Sequence, residues 1–396
     1  MRNLARCVFH EPMTFPISKL PNTGTSIFTH MSRLAAQHQA INLSQGFPDF
    51  DGSPRLISLV EYHMRAGRNQ YAPMAGVEVL RKQISGKVET TMGVSYDPET
   101  EITVTSGATQ ALFTVMAALI HPGDEVILFE PAYDAYAPTV RIFGGVPKPV
   151  TLLAPDFTVD WEAVKRLVTT RTRLMVINSP NNPTARVMTD ADYRELARVI
   201  RGTDCYVLSD EVYEHMVYDG AQHRSAAHYA ELRERAFVVA SFGKLYHTTG
   251  WKVGYCLAPV ELMAEFRKVH QFNVFSVNTP VQYALADFLD TPEAYLTLHE
   301  FFQHKRDFLL QALAATPFDP LPCQGTYFLL SDYSAISDLP ERVFCERLAE
   351  RHGVATIPVA AFYSRPTNQR LVRICFAKRE ETLEKAAERL LRVNDA

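Results

Sequence analysis

Between about residues 54 and 290, short apolar runs alternate with amphipathic stretches, and this alternation constrains the chain more than any other feature. Strands separated by helices satisfy their backbones and bury their apolar faces in a mostly parallel sheet covered on both sides. The predicted strands are Ile102–Thr105, Glu125–Phe129, Thr172–Asn178, Tyr206–Ser209, Phe237–Ala240 and Gly254–Leu257. The predicted helices are Thr109–Leu119, Trp161–Leu167, Asp190–Ile200 and Val260–Val269. From about 291 the pattern changes to long helices, Ala294–Ala315, Arg342–His352 and Glu380–Arg392, with short strands around Gly325–Leu330 and Leu371–Phe376. That change predicts a smaller α+β unit. Residues 14–50 are rich in turn formers and read as an irregular arm. The expected division is an N-terminal arm over 1–53, a large domain over 54–290 and the C-terminal part of a small domain over 291–396.

Bulk properties exclude several classes. A chain of 396 residues with 47% hydrophobic content is long enough for a well-buried interior. A net charge of −4 argues against a nucleic-acid-binding face spanning the protein. Cys7, Cys205, Cys256, Cys323, Cys345 and Cys375 are scattered, with no CxxC pair and no histidine cluster at ligand spacing. They read as reduced thiols of a cytoplasmic protein, with no metal site. No apolar run approaches a membrane span. The first twelve residues carry Arg2, Arg6 and His10 but no apolar stretch, so a secretory signal is not expected; whether Met13 is a start is open.

The ends of the predicted strands carry the chemistry, as they do in doubly wound sheets. Ile102–Thr105 runs into Ser106-Gly107-Ala108-Thr109-Gln110 and then a helix, a seat for phosphate at a helix N-terminus or a plain turn that needs glycine. It contains neither GxGxxG nor a Walker lysine, which weakens nicotinamide and nucleotide-triphosphate readings. Tyr133, in Glu130-Pro131-Ala132-Tyr133-Asp134-Ala135-Tyr136, either stacks on a flat heteroaromatic ring or packs in the core. In Asn181-Asn182-Pro183-Thr184, the proline fixes the backbone so that Asn182 can aim an amide at an oxygen. Asp210 ends an apolar strand, where a carboxylate requires a partner. That partner is a protonated pyridine nitrogen or a structural cation. Tyr213 follows within hydrogen-bonding range of the same ligand.

Lys244 sits in Ser241-Phe242-Gly243-Lys244-Leu245-Tyr246-His247-Thr248-Thr249-Gly250-Trp251-Lys252, directly after a predicted strand, a poor place for a solubility charge. Ser241 and Lys252 add a hydroxyl and a cation suited to phosphate. Arg373 lies on the apolar strand Leu371–Phe376 and needs a carboxylate, from a substrate or from an internal Asp or Glu. Amine, carboxylate, phenol and amide together are the groups that hold pyridoxal phosphate and use it as an electron sink.

In order and spacing these segments resemble the class I/II aminotransferases of the fold-type I pyridoxal phosphate enzymes, over roughly residues 20–392. Gly24-Thr25-Ser26-Ile27-Phe28, Gln45-Gly46-Phe47-Pro48-Asp49-Phe50, Gln70-Tyr71-Ala72-Pro73 and Thr249-Gly250-Trp251-Lys252-Val253-Gly254-Tyr255 are similar to the branch containing bacterial methionine aminotransferases, with kynurenine/glutamine transaminases as relatives. The Tyr246-His247 pair and the Val269-His270-Gln271 run favour the methionine branch. The resemblance implies a large three-layer αβα domain plus a smaller α+β domain, pyridoxal 5′-phosphate as cofactor, and a homodimer with shared active sites.

It further implies that Lys244 is the Schiff-base lysine and Asp210 the pyridinium partner, with Tyr213 and Asn182 on the ring oxygen and Tyr133 stacked on the ring. Ala108, Thr109, Ser241 and Lys252 would hold the phosphate, joined by Tyr71 from the second subunit. Arg373 would take the substrate carboxylate with Asn182 and the backbone of Gly46. Phe28, and Phe275 from the partner, would line the side-chain pocket. Two departures stand out. Ala185 replaces the glycine usual after Asn-Pro-Thr; its Cβ disfavours a left-handed backbone, so a differently shaped loop is predicted. Lys252 replaces a common arginine, giving a point charge in place of a fork.

The implied reaction is transamination between a neutral, hydrophobic or sulfur-containing amino acid and a 2-oxo acid, in ping-pong fashion, with methionine, aromatic amino acids or glutamine as donors. A cysteine-S-conjugate β-lyase on the same scaffold is the alternative. A regulator with an aminotransferase-like domain is the remaining reading, but it requires a helix-turn-helix domain for which the stretch before residue 25 is too short.

Overall fold

The computed structural model describes residues 17–393. The expectations for residues 1–13, including Cys7, Met13 and the signal reading, lie outside the described residues. The strands in chain order are β1 Ile41–Asn42, β2 Ile102–Thr105, β3 Glu125–Glu130, β4 Val146–Thr151, β5 Thr172–Asn178, β6 Tyr206–Asp210, β7 Ala236–Ser241, β8 Gly254–Leu257, β9 Asp319–Pro320, β10 Phe328–Asp332, β11 Val354–Ala355, β12 Ile357–Pro358 and β13 Leu371–Cys375.

A seven-stranded sheet in the order β2-β8-β7-β6-β5-β3-β4 forms the centre, and β8 runs against both of its neighbours while the rest pair parallel. Alternate residues of its strands enter different cores. Val126, Leu128, Leu174, Val176, Leu208, Phe237, Val239 and Cys256 pack on one side with the helices Gly107–Leu119 and Val260–Asn273. Ile127, Met175, Ile177, Val207, Val238, Ala240 and Leu257 belong to the larger core on the other side. Period-two alternation with both sets apolar is what a sheet buried on both faces requires.

A second, antiparallel sheet follows the order β12-β13-β10-β9, and β1 pairs in parallel with β11. The β1–β11 pairing ties the N-terminal segment to the C-terminal third, and Cys375 N–H continues it by donating to the Leu43 carbonyl at 2.9 Å. Residues 41–46 are thereby laid beside β13.

Several elements differ from their sequence expectations for local reasons. β4, Val146-Pro147-Lys148-Pro149-Val150-Thr151, went unread because it carries two prolines; as an edge strand it tolerates them. The N-terminal arm is not irregular throughout, since Ile27–Gln37 is a helix whose Ser26 side chain caps Thr29 N–H at 3.2 Å. Pro54–Arg65 and Glu78–Met92 are further helices that the alternation pattern did not single out. The long helix expected over Ala294–Ala315 is two, Glu293–Leu296 and Leu298–Leu313. The strand expected from Gly325 begins only at Phe328, because Thr326 adopts a left-handed φ of 65°. Among the described residues no helix is long and apolar enough to cross a membrane.

Gly254 marks the closest backbone approach in the sheet. A Cβ there would meet the Ala240 carbonyl oxygen at 2.6 Å and Ala108 N at 3.1 Å. Gly254→Ala is therefore expected to lower the unfolding free energy in urea by about 1–3 kcal/mol. Gly250→Ala, with nothing within 4 Å of its Cβ, should stay within about 0.5 kcal/mol of the parent.

Candidate active site

Thr105, Asn178, Asp210 and Ser241 end β2, β5, β6 and β7, and these strands run in one direction, so the turns that follow them meet at one edge of the sheet. There a cleft of about 360 Å³ is lined by Phe28, Gly46, Ala108, Thr109, Tyr133, Asn182, Asp210, Tyr213, Ser241, Lys244, Lys252 and Arg373, among others. These are all the site residues read from the sequence except two. Tyr71 and Phe275 lie outside it, exposed at 83% and 48%, and their rings pack edge-on at 5.6 Å.

The phosphate-type seat begins at Gly107, whose φ of 76° excludes a side chain at little cost only for glycine. A Cβ here would also meet Lys252 Nζ at 3.3 Å, so the lysine lies against the start of the helix Gly107–Leu119. No side chain caps that helix at Ser106. Its first N–H groups, the Lys252 ammonium and Ser241 at the end of β7 make a concave donor set for a dianion.

Asp210 is 4% exposed and, among the described residues, has no cation in hydrogen-bonding contact. Tyr136 Oη donates to its Oδ2 at 2.6 Å, and Val212 N–H to its Oδ1 at 3.3 Å. Burial pushes its carboxyl up to about 6 despite these donors. In the sequence Tyr136 stands beside Tyr133 with no local signal that it reaches β6. Asn178 fixes the next loop: its Nδ2 donates to the Asp210 carbonyl at 2.9 Å and its Oδ1 accepts from Asn182 N–H at 2.8 Å.

That loop overturns one expectation. Ala185 keeps the left-handed backbone, with φ of 59°, although it bears a Cβ. Its N–H donates to the Asn181 carbonyl at 2.9 Å and its own carbonyl accepts from Gln324 N–H at 3.1 Å. Bonds on both sides over-determine a conformation that an isolated alanine avoids, so the glycine shape survives without the glycine.

Arg373 is 1% exposed and, among the described residues, has no carboxylate on its guanidinium. Nη1 donates to Asn182 Oδ1 at 2.7 Å, Nη2 to the Ser44 carbonyl at 2.9 Å, and Nε has no partner. Its cation lies 3.9 Å from the Phe328 ring centre, 5.1 Å from Phe362 and 5.3 Å from Phe28. Burial brings it down to about 10. Among the described residues no internal Asp or Glu takes the place left open by the sequence. Among the lining residues Arg373 is the one arginine.

Lys244 Nζ donates to Tyr327 Oη at 2.5 Å and to the Gly46 carbonyl at 3.1 Å. Burial, with the positive charges of Arg373 and Lys252, lowers its ammonium to about 8. Tyr213 packs edge-on against Tyr327 at 5.2 Å, and Tyr133 edge-on against Tyr136 at 5.6 Å. Tyr327 and Phe328 carried no role in the sequence reading; a Gly-Thr-Tyr-Phe strand start is a weak local signal.

The residues present fit the cofactor expected from the sequence. A dianion seat, a buried carboxylate without a cation, an amine and an arginine with an orphaned Nε converge on one cleft. The lowered Lys244 ammonium gives a direct check. In cofactor-free protein, acylation of Lys244 followed by peptide mass spectrometry should switch on with a midpoint near pH 8; a midpoint near the ordinary 10.5 would contradict the burial described.

Comparison with known proteins agrees with this geometry. Residues 38–390 match the family model for aminotransferase class I and II. The chain is 53% identical to a methionine aminotransferase of Escherichia coli K12 over 95% of this chain and 97% of that protein. A solved E. coli structure identified with a methionine aminotransferase function, at the same identity, superposes with a TM-score of 0.93, covering 95% of this chain and 99% of that one. The N-succinyldiaminopimelate aminotransferase of Mycobacterium tuberculosis gives 38% identity and a TM-score of 0.91, over 95% and 99%. A kynurenine–oxoglutarate transaminase of Dictyostelium discoideum is 33% identical over 96% of this chain and 97% of its own length.

Proposed function

The chain belongs to the aminotransferase class I and II family, fold-type I enzymes that use pyridoxal phosphate to exchange amino groups between amino acids and 2-oxo acids, and from that premise we propose that its donor is a neutral, bulky amino acid, methionine above all. The observation that carries this reading is Arg373: one buried guanidinium ringed by Phe28, Phe328 and Phe362, with no second arginine lining the cleft. One carboxylate is provided for, and the space beside it is aromatic. The 53% identity to the E. coli methionine enzyme supports the same donor.

When bound, pyridoxal phosphate supplies a cationic ring that takes up the electrons of a breaking C–H bond. Lys252, Ser241 and the N–H groups at Ala108 and Thr109 would hold the phosphate. Asp210 would pair with the ring nitrogen, and burial would make its carboxylate a strong partner for that cation. Tyr136 holds Asp210 in place from behind. Because Asn182 Oδ1 is already taken by Arg373, its amide nitrogen is left to donate to the ring oxygen, beside the Tyr213 hydroxyl. Tyr133, which lines the cleft, would cover one face of the ring. Lys244 would anchor the cofactor and, once freed, would hold the proton that leaves substrate Cα and give it back to the cofactor's aldehyde carbon; burial, which lowers its ammonium to about 8, suits it to both directions. Arg373 orients the substrate carboxylate, and Phe28 packs on the side chain.

The exposed Tyr71–Phe275 pair supports a homodimer in which each subunit completes the other's cleft, Tyr71 at the phosphate and Phe275 at the side-chain pocket. The large unit over 54–290 and the small unit formed by the arm with 291–396 are the division we adopt, supported by the separate sheets. Among the described residues the cysteines Cys205, Cys256, Cys323, Cys345 and Cys375 are all free and buried, which supports a reducing, cytoplasmic setting.

Stopped-flow half-reactions test the donor. Methionine, phenylalanine and glutamine should each convert the bound cofactor at least about tenfold faster, per unit concentration, than aspartate, the scale on which pocket contacts discriminate. Aspartate outpacing methionine and phenylalanine would remove the apolar-pocket reading.

A further inference from the structure

We propose that Tyr327 is a positioning residue that seats the freed Lys244 amine and turns its lone pair into the cleft. This rests on the reading of Lys244 given above and extends it to a residue outside the cofactor and substrate contacts. Tyr327 is 1% exposed, and its ring is gripped edge-on by Tyr213 at 5.2 Å and by Phe328 at 4.9 Å, and tilted against Phe302 at 5.6 Å. Those contacts leave the hydroxyl one position. Its single proton goes to the Gly46 carbonyl at 2.6 Å, so towards Lys244 Nζ at 2.5 Å the oxygen is the acceptor.

The Gly46 carbonyl is itself fixed. A Cβ at Gly46 would meet Phe328 Cζ at 2.7 Å, so the backbone there lies directly on the ring that also stacks on Arg373. This carbonyl accepts from Nζ at 3.1 Å. A neutral amine has two N–H bonds and one lone pair. Tyr327 Oη and the Gly46 carbonyl take the two N–H bonds, and the lone pair is left for the substrate proton. The seat bridges the N-terminal segment and the start of β10, so it forms only where these two parts meet.

Tyr327→Phe keeps the ring and removes the seat. In the holoenzyme, the methionine half-reaction of this variant should slow by about 10–100-fold, the usual effect of a misplaced base. Its dependence on methionine concentration should give a dissociation constant within about twofold of the parent. With α-deuterated methionine the primary isotope effect should rise, because proton transfer becomes more fully rate-limiting. A rate within threefold of the parent, an unchanged isotope effect, or a loss that merely tracks cofactor release and melting temperature would overturn the proposal. If the variant does not fold, the parent crystallised with the cofactor in its amine form decides: Nζ should lie in hydrogen-bonding contact with Tyr327 Oη, and Nζ turned away would overturn it. Lys244→Ala, run alongside, separates the two readings, because a half-reaction that survives in that variant sinks the role of Lys244 itself.

Discussion

Two ionisable groups buried near one another without a direct bond between them set the conditions for everything else in this structure. Asp210 ends β6, and Lys244 follows the neighbouring β7, so adjacent parallel strands deliver an acid and an amine to one cleft. Burial pushes the acid up to about 6 and the ammonium down to about 8. Among the described residues neither group has an oppositely charged partner in hydrogen-bonding contact: Asp210 is held by a phenol and a backbone N–H, and Lys244 by a phenol and a carbonyl. In the proposed roles, pyridoxal phosphate would answer both at once, Asp210 through its ring nitrogen and Lys244 through its aldehyde. Ligand and protein are complementary in charge before they are complementary in shape.

The same logic governs the substrate end. A guanidinium with an orphaned Nε, hydrogen-bonded among the described residues to an amide oxygen and a carbonyl and packed on three aromatic rings, still lacks the anion that a carboxylate would supply. Its position depends on the β1–β11 pairing, which lays Ser44 and Gly46 beside β13. The proposed catalytic geometry is therefore a contact between the N-terminal segment and the C-terminal third, with the strand ends of the large sheet carrying the groups proposed to hold the cofactor. Glu211 steadies that sheet edge next to Asp210. It is fully buried and accepts from Ser209 Oγ at 2.6 Å, Ser225 Oγ at 3.0 Å and Ala226 N–H at 3.1 Å, with His223 Nε2 at 2.8 Å.

Much of this was legible in the linear chain because the chemistry sits where local pattern is strongest, at the ends of apolar runs. Lys244, Asp210, Asn182 and Arg373 each stand out against a strand or a rigid turn. What escaped reading was non-local or locally contradictory. Tyr136 meets Asp210 across 74 positions and Tyr327 meets Gly46 across 281, and no periodicity encodes such contacts. The two prolines of β4 argue against a strand until its edge position is known. The helix Ile27–Gln37 hides behind the turn-rich residues that precede it. Ala185 shows the limit of residue-by-residue inference: its backbone is set by Asn181 and Gln324, not by its own preference.

The account turns on a covalent link between the cofactor and one amine. Borohydride reduction of the protein loaded with pyridoxal phosphate, followed by digestion and mass spectrometry, should place a single phosphopyridoxyl group on Lys244. The label should vanish in Lys244→Ala even where cofactor remains bound. A label on another lysine, or cofactor bound with no reducible link, would contradict the account.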